Sequence, residues 1–109
     1  MSDTIGAKFA ALSDPTRRAI LARLMREEVS VGDLAAPFDL SPRAVAKHVA
    51  VLEAAGLVTR RKVAQRRITR LRPEALTEID AWLETYREVW GQRFERLGKQ
   101  LSRQKLKGQ

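Results

Sequence analysis

The chain has 109 residues, 21 Lys and Arg against 13 Asp and Glu, a net charge of +8, and no cysteine. That length makes one domain with a modest core, small enough to gain from dimerisation, and the missing cysteine excludes disulfides, thiolate metal sites and cysteine catalysis. The opening Met1-Ser2-Asp3-Thr4 lacks both the basic and the apolar segment of a signal peptide, and no apolar run approaches the roughly 20 residues that span a bilayer, so a soluble, cytoplasmic protein is expected.

Ile5, Phe9 and Leu12 recur at helical spacing and predict a short first helix over about 4–12. Asp14 followed by Pro15 predicts an N-cap and a first helical position for a second helix, whose buried face is read as Ile20, Leu21, Leu24 and Met25. Ser30, with Asp33 three residues on, caps a third helix that turns Leu34, Ala35 and Phe38 inward. Asp39 is expected to take a left-handed turn and Leu40 to plug back into the core, leaving a connection of three or four residues.

Ser41 and Pro42 then open the most informative element. Val45, Val49 and Leu52 make one buried stripe, Arg43, Ala44, Ala46, Lys47 and Ala50 fall on other faces, and Gly56 suits the left-handed stop. Residues 57–62 and 66–72 follow as two very basic strands, with a turn near Val63 to Gln65. A slim helix beside a charged ribbon is the arrangement that reads a duplex, the helix in the major groove and the ribbon on the backbone. Charge follows the same unit. Residues 1–37 are neutral, 38–72 carry nine basic and two acidic residues for +7, and 73–109 carry +1. An excess confined to one unit is what phosphate neutralisation requires, whereas solubility is served as well by charge spread evenly.

Pro73 and Glu74 begin a long last helix over about 74–102. Its apolar positions, Leu76, Ile79, Leu83, Tyr86, Trp90, Phe94 (or the stem of Arg93), Leu97 and Leu101, step by three and four and predict a dimer seam joined by Ile5 and Phe9. The tail from Ser102 is expected to fray. The fold class is therefore mainly α with a β-hairpin wing: a winged helix-turn-helix of five helices in a single domain, with the helix-turn-helix over about 30–56, the wing over about 57–72 and dimerisation helices at both ends.

Leu12-Ser13-Asp14-Pro15-Thr16-Arg17-Arg18-Ala19-Ile20-Leu21, then Leu40-Ser41-Pro42 leading to Lys47-His48-Val49, then Leu52-Glu53-Ala54-Ala55-Gly56-Leu57-Val58, resemble the ArsR family of bacterial winged-helix repressors. Ala81-Trp82-Leu83 through Tyr86-Arg87 and Trp90 resemble a non-metal branch of it. The resemblance implies a homodimer on an inverted-repeat operator, near its own promoter, that represses transcription. Metal-sensing members carry cysteine pairs or terminal-helix His and carboxylate ligands; here the one histidine is His48, so no metal and no cofactor are expected. The wing tip, Val63-Ala64-Gln65-Arg66, also departs from the family in lacking glycine, so the operator sequence cannot be borrowed from relatives.

The candidate DNA-binding residues are Ser41, Arg43, Ala44, Lys47, His48, Arg60, Gln65, Arg66 and Arg67. Arg43, in the first helical turn, opposes the helix dipole; a bidentate guanine contact explains it better than a phosphate contact. Ala44 either meets a thymine methyl or simply favours helix, and Lys47, four positions on, takes phosphate or guanine. His48 makes either a backbone contact to DNA or a half-buried hydrogen bond. Arg17 and Arg18 also crowd a helix N-terminus, for phosphate or for an ion pair. Of the wing cations Arg60, Lys62, Arg66, Arg67 and Arg70 not all can touch DNA, because strand side chains alternate faces, and the tip residues Gln65, Arg66 and Arg67 are placed to reach phosphate or minor groove. The candidate dimer residues are Ile5, Phe9, Leu76, Ile79, Leu83, Tyr86, Trp90 and Leu97. With no glycine-rich phosphate loop, nucleophile–base pair or metal cluster, an enzyme is not expected. The rival reading is a winged helix used for protein or RNA contact without operator specificity. An effector, if there is one, is not legible.

Overall fold

In chain order the elements are α1 (Thr4–Leu12), α2 (Pro15–Leu24), β1 (Val29–Ser30), α3 (Val31–Ala35), α4 (Pro42–Ala54), β2 (Val58–Val63), β3 (Arg66–Leu71) and α5 (Pro73–Lys107), in a computed structural model that describes residues 3–107, with side chains as far as Ser102. This is a winged helix-turn-helix with five helices. The sheet is antiparallel in the order β1-β3-β2. Its two-residue first strand, pairing Val29 with Thr69 and Ser30 with Ile68, carries no periodic signal and was not expected from sequence.

The helices α1 to α4, which lie in the first unit up to Leu76, each start at a side-chain cap. Asp3 accepts from the Gly6 amide at 2.7 Å, Asp14 from Arg17 at 3.0 Å, Ser30 from Asp33 at 3.2 Å and Ser41 from Ala44 at 3.1 Å. Each cap satisfies one amide that the helix itself leaves without a partner. The Asp14 carboxyl is held below its ordinary range, first by the Arg17 amide and then by the charges of His48 and Arg17.

Arg17 and Arg18 have a structural partner. Arg17 Nε donates to Ala11 O at 2.6 Å and Arg18 Nη1 to Leu12 O at 2.8 Å, so both guanidinium groups cap the carbonyl end of α1 and oppose its negative pole. The two arginines are therefore accounted for by the joint between α1 and α2, without a phosphate.

The core is Ile20, Leu21 and Leu24 from α2, Leu34 and Ala35 from α3, Val45, Val49 and Leu52 from α4, and Leu57 and Val58 beyond it. Cutting fully buried Leu52 back to alanine would cost about 2–5 kcal/mol. Gly56 ends α4 with φ +78°; its amide bonds to Glu53 O and the Leu57 amide to Leu52 O, both at 3.0 Å, which satisfies two carbonyls and folds Leu57 into the core.

Several expectations need correction. In α1 the buried residues are Lys8 and Ala11, while Phe9 is exposed and Ile5 and Leu12 half-buried. Met25 caps α2 in the open. Because α3 stops at Ala35, its connection to α4 is six residues, Phe38 is half-buried and Leu40 exposed. Among the described residues Ala64, not Asp39, is the non-glycine with positive φ.

The second unit, from Thr77, is helical to Lys107, beyond the expected end at about 102; the rest of the tail expected to fray, Gly108 and Gln109, lies outside the described residues. α5 runs for 35 residues, roughly 52 Å at the α-helical rise. From Asp80 to Ser102 every residue is exposed. Arg87 holds the helix internally, donating to Asp80 at 2.6 Å and pairing with Glu84 at 2.9 Å.

Candidate nucleic-acid interface

On α4, Val45, Val49 and Leu52 are fully buried. Arg43, Lys47, Ala50 and Ala54, stepping by four, three and four, are exposed on the opposite face. The pattern follows from the 3.6-residue period: with the apolar stripe fixed in the core, this face must meet solvent or a partner. It is slim, because two of its four side chains are methyl groups, and cationic at the end nearest the N-cap. Ser41 serves that cap and is exposed, while Ala44 and Ala46 flank the stripe half-buried. Neither Arg43 nor Lys47 has a hydrogen bond or ion pair among the described residues.

His48 lies on the flank facing α2. Its half-buried Nδ1 is 3.4 Å from Arg17 Nη1 and 3.9 Å from Asp14 Oδ2, contacts that tie α4 to the α1–α2 joint.

The wing sorts its cations by face. Register pairs Lys62 with Arg67, Arg60 with Thr69 and Val63 with Arg66 around the two-residue turn Ala64-Gln65. Alternation puts Arg60, Lys62 and Arg67 on the side of buried Val58 and Thr69, and Arg61, Arg66 and Arg70 on the other. Two of the second set, Arg66 and Arg61, meet acids from the N-terminal half. Arg66 Nη2 sits 2.6 Å from Asp33 Oδ2 and donates to Ser30 Oγ at 2.9 Å, and Arg61 lies 3.3 Å from Glu28. The Asp33 carboxyl falls below its usual range through Ser30 first and Arg66 second.

On the first face Arg60 closes a two-pronged pair with Glu53 of α4, at 2.8 and 3.2 Å. That hydrogen bonding, with the charge of Arg60, lowers the Glu53 carboxyl and raises the guanidinium. Lys62 and Arg67 remain exposed, with no hydrogen bond or ion pair of 4 Å or less among the described residues, beside Glu53, Arg60 and Arg61 in a shallow basic depression. Gln65 is exposed at the tip.

The structure thus gathers Arg43 and Lys47 on one face of α4, Arg67 on the wing face that α4 adjoins, and Arg60 and Arg66 in ion pairs. Lys62 is the residue sequence reasoning passed over; its signal is the alternation that sets it two positions after Arg60 and opposite Arg67. Of the residues expected at a dimer seam, Ile5, Leu76 and Ile79 are half-buried, and Phe9, Leu83, Tyr86, Trp90 and Leu97 are exposed. Among the described residues no cluster of three or more His, Cys, Asp or Glu is placed to hold a metal, and no helix is long and apolar enough to cross a membrane.

A family model described as a helix-turn-helix domain matches residues 12–61. The chain is 40% identical over 78 residues to the HTH-type transcriptional regulator Rv2034 of Mycobacterium tuberculosis, covering 72% of this chain and 73% of that one. It is 35% identical over 82 residues to the transcriptional activator HlyU of Vibrio cholerae, with 75% and 73% covered. Among solved structures, that of an ArsR family transcriptional regulator superposes with a TM-score of 0.77 and 37% identity, over 82% of this chain and 98% of the other. The buried stripe of α4, the glycine that ends it and the basic wing behind it are therefore those of a transcriptional regulator, and this chain belongs to the ArsR family of winged helix-turn-helix proteins.

Proposed function

We propose that the chain acts as a homodimer that binds an inverted-repeat operator in double-stranded DNA and represses its own or a neighbouring operon. The observation that carries this reading is the α4 face formed by Arg43, Lys47, Ala50 and Ala54, set opposite the buried stripe and left without protein partners among the described residues. In this reading residues 30–56 are the reading unit, and α4 enters the major groove by its N-terminal end. Arg43 pairs with a guanine, Lys47 reaches the same groove or its phosphates, and Lys62, Gln65 and Arg67 of the wing meet the backbone. Arg60 and Glu53 set the angle between wing and helix, and Arg66 is held by Asp33 until DNA competes for it. α1 and α5 supply the dimer contact through Ile5, Phe9 and the exposed seam of α5. Occupying a promoter-proximal site blocks polymerase, so repression follows from where the operator lies.

Footprinting on the DNA upstream of the coding region tests the reading. A two-fold symmetric protected site, bound far more tightly than random duplex, is expected. Equal, weak binding to every duplex would contradict it and favour a module for protein or RNA contact.

A further inference from the structure

On the flank of α4 that faces the start of α2, the His48 ring has two neighbours of opposite charge at one nitrogen. Arg17 Nη1 lies 3.4 Å and Asp14 Oδ2 3.9 Å from Nδ1, and the side chains of His48 and Asp14 are only 25% and 32% exposed. Among the described residues these are its only hydrogen-bond and ion-pair partners. Other charged groups on α2 and on the elements packed against α4 are engaged or placed elsewhere. Arg18 of α2 goes to Leu12 O and Arg23 to Glu27, Asp33 of α3 to Arg66, Arg60 and Arg61 of β2 to Glu53 and Glu28, and Lys62 faces the wing depression. The Lys8 ammonium of α1 lies beside Gly56, past the far end of α4.

A guanidinium donates and cannot accept, so Nδ1 can meet Arg17 only through its lone pair. That requires the neutral ring, with its hydrogen on Nε2. A proton added to Nδ1 removes the acceptor and sets a second cation against Arg17, and Asp14 becomes the partner. Histidine is the side chain that makes this change between about pH 5 and 8. Asp14 is prepared for it: its carboxyl is held below the ordinary 3.8, first by the Arg17 amide, and is ionised across that range. Arg17 keeps Ala11 O at 2.6 Å and Ala10 O at 3.3 Å, so only its contact to α4 is given up.

We infer that His48 is a proton-operated positioning residue for the reading helix: neutral, it accepts from Arg17; protonated, it turns to Asp14. This rests on the operator-binding reading and adds a control on it. Closing 3.9 Å to the roughly 2.8 Å of a charge-assisted hydrogen bond moves the ring by about 1 Å. His48 adjoins Lys47 and stands less than two turns from Arg43. Base contacts demand placement within about 0.5 Å, whereas phosphate contacts position without reading sequence. Acid therefore lowers the preference for operator, while the added positive charge favours every duplex.

Because the chain holds one histidine, its ring signals are unambiguous. Nitrogen NMR of the whole protein at pH 8 should show the hydrogen on Nε2 and a bare Nδ1. A neutral ring with its hydrogen on Nδ1 would overturn the inference. In parallel, wild type and His48→Gln, whose amide oxygen can accept from Arg17 but gains no proton, are bound to operator and to random duplex from pH 8 to pH 5.5. The ratio of the two affinities should fall several-fold for wild type and stay level for His48→Gln. A ratio that stays level in wild type, or that falls equally in both proteins, would also overturn it. Both wild-type measurements decide the matter if His48→Gln does not fold. Equal binding of wild type to every duplex at pH 8 would instead bring down the operator reading itself.

Discussion

Glu53 on the recognition helix and Arg60 on the first wing strand meet in a two-pronged ion pair across the glycine that separates them. The reversal at Gly56 folds β2 back along α4, so residues nearly equidistant from it come face to face. The pair is the one direct ion pair found between α4 and the wing among the described residues, and it ties the two together.

That pair carries a pH signature. Glu53 is held below its ordinary 4.5 by the Arg60 hydrogen bond and charge. Its folded value lies below its unfolded one, so the stabilisation is complete above the unfolded value and disappears as pH falls through the folded one. Half-exposed partners limit it to about 1 kcal/mol. Urea unfolding should therefore show Glu53→Gln less stable than wild type by about that amount at pH 7, with the gap closing as pH falls below the carboxylate range. A gap unchanged from pH 7 to pH 3 would assign the loss to packing instead.

Thr69 is fully buried at the centre of the sheet, and its hydroxyl has no hydrogen-bond partner among the described residues. A buried, unpaired hydroxyl costs about 1–3 kcal/mol relative to an apolar group of the same shape. Thr69→Val should leave stability unchanged or raise it by about 1 kcal/mol in urea unfolding. A clear loss would reveal a partner for the hydroxyl.

Ala64 occupies the first of the two wing-turn positions with φ +55°. A left-handed backbone costs a residue with a Cβ about 1–2 kcal/mol, which glycine avoids. Ala64→Gly should raise the denaturation midpoint by about 1 kcal/mol of stability, part of it returned through the freer unfolded chain. An unchanged or lowered midpoint would mean that the turn is not strained.

The caps at Asp14, Ser30 and Ser41, the stripe on α4, the stop at Gly56 and the long last helix were legible because each is set by neighbours in sequence. Asp3 as a cap was equally local and was passed over. The errors have a different origin. Met25 is apolar yet exposed because it caps the end of α2, and Leu40 is exposed because the short helix α3 ends at Ala35, earlier than its residue types suggest. Strand β1 and the pairing of Arg66 with Asp33 depend on segments more than thirty residues apart, which periodicity does not register. The basic wing was legible as a unit, but which cations are held in ion pairs depends on strand register and on acids elsewhere, so Arg60 and Arg66 were named as DNA contacts beside Arg67 while Lys62 was not.

The two faces of the wing should separate in salt titrations. Removing a cation that neutralises one phosphate makes the log–log slope of DNA affinity shallower by about one unit. Arg67→Ala and Lys62→Ala should each show that change on operator and random DNA alike, while Arg66→Ala, whose side chain must first leave Asp33, should show less. Equal changes for Arg66 and Arg67 would mean that the Asp33 pair opens at no cost on binding.

In the proposed function α4 reads bases through Arg43. A guanidinium in the first turn of a helix, opposed by the dipole and without a protein partner among the described residues, is suited to pair with guanine O6 and N7, and losing one such pair costs about 1–3 kcal/mol of discrimination in each half-site. The direct measurement is binding of Arg43→Ala and wild type to a library of single-base operator variants. The preference should flatten at one symmetric pair of positions, about one helical turn apart, while affinity for random duplex changes little. If the variant keeps every wild-type preference and weakens all sequences alike, Arg43 touches only phosphate and the reading of α4 fails.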